Sequence, residues 1–226
     1  MKLRRLAPLL VAAALVAGCG GGASGNGVAD KSADEIVADA GAAAKEATSV
    51  YVHGGTTSGS SPIEIDMHLV AGEGGAGHLV ANGLSFDVVR IGDKAYFKGD
   101  DALWRQLGGE AAVALLHDRW LVAPATSGEL ASFAPLTDIE QLFDALLGDH
   151  GTLEKGDETE IDGNPAIAVE DTAEGGTLYV ATTGEPYPLK VEGGSDSPGT
   201  ISFDDWNEEY ELTAPEGAID IAQLQS

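Results

Sequence analysis

The feature that most constrains the fold is a strict alternation of apolar and polar side chains. It runs without a break through residues 63–69, from Ile63 to Leu69. A period of two is that of a β-strand with one dry face and one wet face. The chain must therefore fold around a sheet that buries one of its two faces.

Glycine-rich turns recur at short intervals around this strand, at 72–77, 82–83 and 92–93. Strands joined by such short turns form antiparallel meanders. We predict a first meander with strands from Val50 onwards and at 63–69, 78–81, 84–91 and 94–98. We predict a second meander, with a turn at 162–165 and strands at 152–161, 166–170, 177–183, 189–192 and 200–204.

Helical patterns precede and separate the two meanders. Residues 32–35 read Ser-Ala-Asp-Glu, a capping box that predicts a helix over about 32–48 with a largely alanine face. Residues 137–140 form a second capping box, before a helix that carries an apolar stripe and ends at Gly148. We also predict helix at 109–120 and 127–134, and a strand or turn at 100–107. This order predicts an α+β fold with one antiparallel sheet.

The first 18 residues have the pattern of an export signal. Three cations near the start precede an apolar run over 6–16 that is too short to span a membrane, and Ala17-Gly18 supplies the small residues of a cleavage site. The string Leu15-Val-Ala-Gly-Cys19 resembles the lipobox of bacterial lipoproteins. That resemblance implies that the Cys19 sulfur takes a diacylglyceryl group and that cleavage leaves Cys19, acylated with fatty acids such as palmitate, as the first residue.

Cys19 is the only cysteine in the chain, so it has no disulfide partner within the chain. Residues 19–31 read as the lipidated cysteine and a flexible Gly/Ser linker, and 32–226 as a single domain. No later apolar run reaches 18 residues. We therefore expect attachment to the cell membrane, on its extracytoplasmic or periplasmic side, through acyl chains on Cys19.

Charge excludes one class of partner. The formal net charge is −25, with 12 Lys and Arg against 37 Asp and Glu. Nucleic-acid binding requires a cationic footprint, which the few scattered cations do not supply. Anionic lipid surfaces would also repel this chain, so the acyl anchor must hold it at the membrane.

Three further stretches resemble the LolA-like fold, and within it the LppX and LprG group of mycobacterial lipoproteins. They are Val89–Lys98 leading to Trp104; the helix Leu136–Leu147; and 161–167 leading to 177–181 and 186–190. The resemblance implies a strongly curved antiparallel half-barrel with helices packed on its concave face and a hydrophobic cavity between them. It also implies carriage of acylated lipids or lipoproteins across the envelope.

In such an arrangement the dry face of strand 63–69 and the stripe of helix 136–147 face each other across the cavity. Aromatic side chains could complete an acyl pocket. The candidate lining residues are Ile63, Ile65, Met67, Leu69, Phe86, Tyr96, Trp104, Leu142, Phe143 and Leu146.

No common catalytic motif occurs: the sequence has no G-x-S-x-G, P-loop, Rossmann or H-E-x-x-H pattern. We therefore expect no enzyme activity and no cofactor. A metal site formed by His53, His68 and His78 with Asp66 is an alternative, as is calcium binding by the acidic cluster at 204–211, but solvated side chains explain both patterns without a metal.

Two functions remain in competition. One is a lipid-anchored envelope protein that binds or carries a hydrophobic ligand. The other is a sensory or scaffolding module that binds another envelope protein through the same fold. A ligand that co-purifies with the domain would distinguish them.

Overall fold

A computed structural model describes residues 25–58, 61–126 and 134–224. After a short 3-10 turn, Val28–Asp30, it contains four helices: α1 (Ala33–Glu46), α2 (Asp101–Leu116), α3 (Ile139–Leu147) and α4 (Ile221–Leu224). Twelve strands accompany them: β1 (Ser49–Ser58), β2 (Ser61–Val70), β3 (Gly74–Ala81), β4 (Leu84–Ile91), β5 (Lys94–Gly99), β6 (Leu121–Pro124), β7 (Leu153–Ile161), β8 (Asn164–Asp171), β9 (Gly176–Ala181), β10 (Pro188–Gly193), β11 (Gly199–Asp204) and β12 (Ile219–Asp220).

All twelve strands belong to one open, curved sheet, in the order β12-β6-β5-β4-β3-β2-β1-β11-β10-β9-β8-β7. Every neighbouring pair is antiparallel except the short β12–β6 pair, which is parallel. The two predicted meanders join where β1 pairs with β11. The α+β class with one antiparallel sheet is confirmed.

The inner face of the sheet is the face that carries Met67 and Leu69 and lies against α1 and α3. Two clusters of apolar side chains fill it. The central cluster lies under α3, and its buried members include Val50, Val52, Ile65, Met67, Leu69, Leu79, Phe86, Val88, Ile139, Leu142, Phe143 and Phe203. The lateral cluster joins α1 to β8 and β9 through Val28, Ala33, Ile36, Val37, Ala40, Ile167, Val169, Leu178 and Val180.

Capping interactions position the two inner helices. Ser32 and Glu35 form the predicted capping box at the start of α1. For α3 the predicted cap is one residue early, because Asp138 rather than Thr137 accepts a hydrogen bond from the backbone N–H of Gln141, at 3.1 Å. The Thr137 hydroxyl instead donates to the carbonyl of Ala134.

An arginine ties the start of α3 to the sheet. The Arg90 guanidinium on β4 donates to the Thr137 carbonyl at 3.1 Å and lies 3.5 Å from the Asp138 carboxylate. At the other end of α3, Lys45 of α1 pairs with Asp144 at 2.5 Å. These contacts fix α3 across the inner face.

The predictions around Trp104 need correction. Residues 100–107 are the start of α2, because the Asp100 carboxylate accepts from the Leu103 N–H at 2.7 Å and caps a helix there. Gly108 and Gly109 leave helical geometry and kink α2, Gly109 with a φ of 66°. The helix predicted at 109–120 ends at Leu116, and 121–124 is strand β6.

Two other differences are smaller. The helix predicted at 127–134 lies almost wholly outside the described residues. The closing elements β12 and α4 were not predicted, because two-residue strands and four-residue helices have too few positions to show a period. Among the described residues, no helix is both long enough and apolar enough to cross a bilayer.

Candidate functional site

Most of the candidate lining residues meet in the central cluster. Strand β2 and helix α3 face each other there, as the resemblance implied. Met67 and Leu69 are 0% exposed and Phe143 is 1% exposed, and the Phe143 ring lies 5.0 Å from that of Phe203. These side chains fill the space between strand and helix by contacting one another.

Three candidates lie elsewhere. Tyr96 pairs with Val89 across β4 and β5, and this register puts it on the outer face, opposite to Met67. Trp104 lies on α2 in a third cluster with Leu116 and Leu121. Ile63 is half-buried near the end of β2. Tyr96 and Phe97 are adjacent in the sequence, so alternation alone does not show which of them faces inward. The register gives the inward position to Phe97, which is paired with Val88.

Leu146 reaches an open space beside the central cluster. It lines a cleft of about 580 Å³ where α3 ends, between α1, α3 and the ends of β7 to β10. Pockets that bind small molecules commonly have volumes of roughly 300–1,000 Å³. We call this space the end cleft.

The end cleft has an apolar floor that continues both inner clusters. Leu146 and Leu147 come from α3 and are half-buried. The sheet and α1 supply the other apolar lining residues, which are Val37, Leu153, Val169, Leu178 and Val191. An apolar chain entering the cleft would therefore contact the edge of the core without displacing it.

Glycines form part of the mouth. Gly176 and Gly193 are paired across β9 and β10, and Gly194 follows directly. A Cβ atom on Gly194 would lie 2.7 Å from the Glu174 carbonyl oxygen, and one on Gly193 would collide with the Ser197 carbonyl. The two hairpin ends approach so closely that only residues without side chains fit between them.

Acidic side chains occur among the lining residues of the mouth, including Asp149, Asp171, Glu174 and Asp196. The Asp171 carboxylate accepts hydrogen bonds from the backbone N–H groups of Gly151, Ala173 and Glu174 at 2.7, 2.9 and 3.0 Å. The bonds from Glu174 and then Gly151 lower the pKa of Asp171 by stabilising its charged form. This carboxylate thus ties the β8–β9 turn to the segment that follows α3.

Sequence reasoning missed most of the floor. The sequence placed Val169 and Leu178 within the predicted strands 166–170 and 177–183. What it could not indicate is that α3 stops short of them, because the position of a helix end over a sheet depends on tertiary packing. From the sequence, the glycines of the mouth could be recognised only as turn residues.

The histidines of the alternative metal site all lie on the outer face, but each has a different side-chain partner. His53 Nε2 lies 2.7 Å from Asp204 Oδ2, and His68 is stacked between Tyr51 and Tyr210 with ring centroids 4.4 and 4.1 Å away. His78 Nδ1 lies 2.8 Å from Asp87 Oδ1. Within 25–58, 61–126 and 134–224, no three His, Cys, Asp or Glu side chains are grouped to hold a metal ion. Cys19 lies outside these ranges.

No protein-family model matches the sequence, and a search of curated proteins finds no match. Solved structures do match. LprF from Mycobacterium bovis superposes with a TM-score of 0.56 at 17% identity, over 82% of this chain and 97% of LprF. The Mycobacterium tuberculosis lipoprotein LppX gives a TM-score of 0.51 at 18% identity, over 80% of this chain and 98% of LppX. The chain therefore has the LolA-like half-barrel fold of the mycobacterial lipoproteins LprF and LppX.

Proposed function

We propose that this protein binds a hydrophobic, acyl-bearing ligand in the end cleft and presents or carries it at the cell envelope. The observation that supports the proposal is the end cleft itself. It is an open space of about 580 Å³ beside the end of α3, and its apolar floor is continuous with the core. Burying an apolar chain there would contribute about 0.8 kcal/mol per CH2 group. LppX, which shares this fold, is a lipoprotein, and this supports the lipid anchor that forms the second part of the proposal.

The experiment tests whether the protein binds a lipid. The purified protein is extracted with organic solvent and the extract analysed by mass spectrometry, and a fluorescent monoacylglycerol is titrated against the delipidated protein. We expect a co-purifying lipid and saturable probe binding. An extract without lipid, together with no measurable probe binding, would contradict the proposal and favour the protein-binding module instead.

The anchor is the second part of the proposal. Acyl chains on Cys19 would hold the domain at the extracytoplasmic side of the membrane, and the residues before Asn26 would supply the tether. The predicted linker over 19–31 is too long, because the Asn26 N–H donates to the Thr182 carbonyl at 2.8 Å and Val28 is buried in the lateral cluster. We expect Cys19→Ala to abolish incorporation of labelled palmitate and to leave the precursor unprocessed or release the protein into the medium. Retention of the variant in membranes after a salt wash, in amounts equal to wild type, would contradict this anchor.

A further inference from the structure

The outer face of the sheet carries a row of alternating basic and acidic side chains. Direct cross-strand pairing places five of them side by side on β1 to β5, in the order His53, Asp66, His78, Asp87 and Lys98. Paired residues share a face, so this row lies on the opposite side of the sheet from the end cleft.

A serine completes a relay within this row. Ser85 precedes Asp87 by two residues on β4 and therefore shares its face. The Ser85 hydroxyl oxygen lies 3.0 Å from His78 Nε2, and His78 Nδ1 lies 2.8 Å from Asp87 Oδ1. These are the atoms and separations of a serine–histidine–aspartate relay.

The partners of Asp87 favour one direction of proton transfer in the relay. Lys98 Nζ donates to Asp87 Oδ2 at 3.0 Å, so both carboxylate oxygens have cationic or N–H partners. Burial acts to raise the pKa of Asp87, but the hydrogen bonds from His78 and Lys98 outweigh it and the pKa is lowered. When the ionised Asp87 accepts from Nδ1–H, Nε2 is the ring nitrogen left to accept the Ser85 hydroxyl proton.

We propose that Ser85 is a base-activated nucleophile for small acyl esters. The Ser85 oxygen attacks the ester carbonyl carbon while its proton passes to His78 Nε2, and the carbonyl electron pair moves to oxygen. When that pair returns, the ester C–O bond breaks and the alcohol leaves with the proton from His78. Water then attacks the acyl-serine in the same way and releases the carboxylic acid.

The surroundings suit such a substrate. A hollow of about 560 Å³ adjoins the relay, bounded by Ser85, His78, Lys98, Arg105 and His117 among others. The backbone N–H of Ser85 donates to Asp100 at 3.3 Å, so the negative charge that develops on the carbonyl oxygen must be met by a side-chain cation. Lys98, directly opposite Asp87 on β5, is the cation that the register places beside the relay.

The test is covalent labelling of the full chain in detergent with a fluorophosphonate probe, followed by peptide mass spectrometry, and p-nitrophenyl acetate hydrolysis as the second readout. We expect labelling at Ser85, none in Ser85→Ala, and a labelling rate about 100-fold lower in His78→Gln, the range of a lost general base. Asp87→Asn should slow labelling at an unchanged melting temperature, because an amide favours the wrong tautomer of His78, and Asp87→Glu should restore part of the rate.

Ser202 supplies the matched control. It is paired with His53 on the same face, but His53 Nε2 is bound to Asp204. Ser202→Ala should therefore leave both labelling and hydrolysis unchanged. Labelling that is absent, that falls on Ser202, or that proceeds at equal rates in wild type and His78→Gln would overturn the proposal. None of these readouts depends on ligand binding in the end cleft.

Discussion

The central cluster and the end cleft lie side by side on the inner face, and both receive leucines from α3. In the central cluster Leu142 and Phe143 are buried, and the Phe143 ring also lies 5.5 Å from Trp206. One turn later Leu146 and Leu147 are half-buried and line open space. The same helix thus closes the core along its first two turns and leaves it accessible at its end.

The strands explain why the two regions differ. On β3, beneath the start of α3, glycines let neighbouring side chains fill the inner face: a Cβ on Gly77 would lie 2.8 Å from the Met67 sulfur. At the end cleft, glycines lie at the mouth instead, where they bring two hairpins together. Glycine therefore permits dense packing in one region and shapes an opening in the other.

The largest expected effect is in the central cluster. Phe143→Ala should lower the free energy of unfolding by about 3–5 kcal/mol, because it empties a fully buried aromatic site. Leu147→Ala is the matched control in the same helix, and we expect a clearly smaller loss because part of that side chain already faces solvent. Denaturant unfolding monitored by circular dichroism measures both, and equal losses would remove the distinction between the two regions.

Two substitutions to tryptophan, one in the central cluster and one in the end cleft, test which of the two regions binds the ligand. Met67→Trp should cost about 1–3 kcal/mol of stability through overpacking, with binding of the fluorescent monoacylglycerol retained by the folded fraction. Leu146→Trp should leave the melting temperature nearly unchanged but weaken probe binding, because the new ring occupies the cleft. The reverse pattern would place the binding cavity within the central cluster.

The smallest expected effect is a local loss of amide protection at low pH, where Asp171 becomes protonated. The pKa of Asp171 is lowered from its ordinary value of 3.8. Its contribution to stability is therefore complete above that value and is lost as pH falls through the lower, folded pKa. Below that pH we expect lower protection factors, which compare the observed with the intrinsic exchange rate at the same pH, for the amides of Gly151 and Glu174 that donate to the carboxylate. In Asp171→Ala the same amides should exchange fast already at neutral pH, and protection that persists there would contradict the role given to this carboxylate.

Local patterns predicted the sheet and the two inner helices because alternation, turns and caps depend on neighbouring residues. The apolar stripes that contain Met67 and Leu146 predicted the buried face of each element, and the resemblance to the LolA-like fold implied that the two faces lie opposite each other. Local patterns failed at Tyr96, because the inward face of β5 is known only from the strand register. They also failed around Trp104, because the helix capped by Asp100 is interrupted by Gly108 and Gly109 before it shows a full apolar period. The end cleft could not be predicted, because alternation gives the direction of a side chain but not whether a helix covers it.

In the proposed function, the apolar ligand lies in the end cleft and not within the central cluster. Photo-crosslinking with a diazirine-bearing monoacylglycerol, followed by peptide mass spectrometry, tests it most directly. We expect crosslinks on cleft residues such as Leu146, Leu147, Leu178 and Val191, reduced by unlabelled monoacylglycerol. Crosslinks concentrated on Met67, Leu69 or Phe143 would contradict the account.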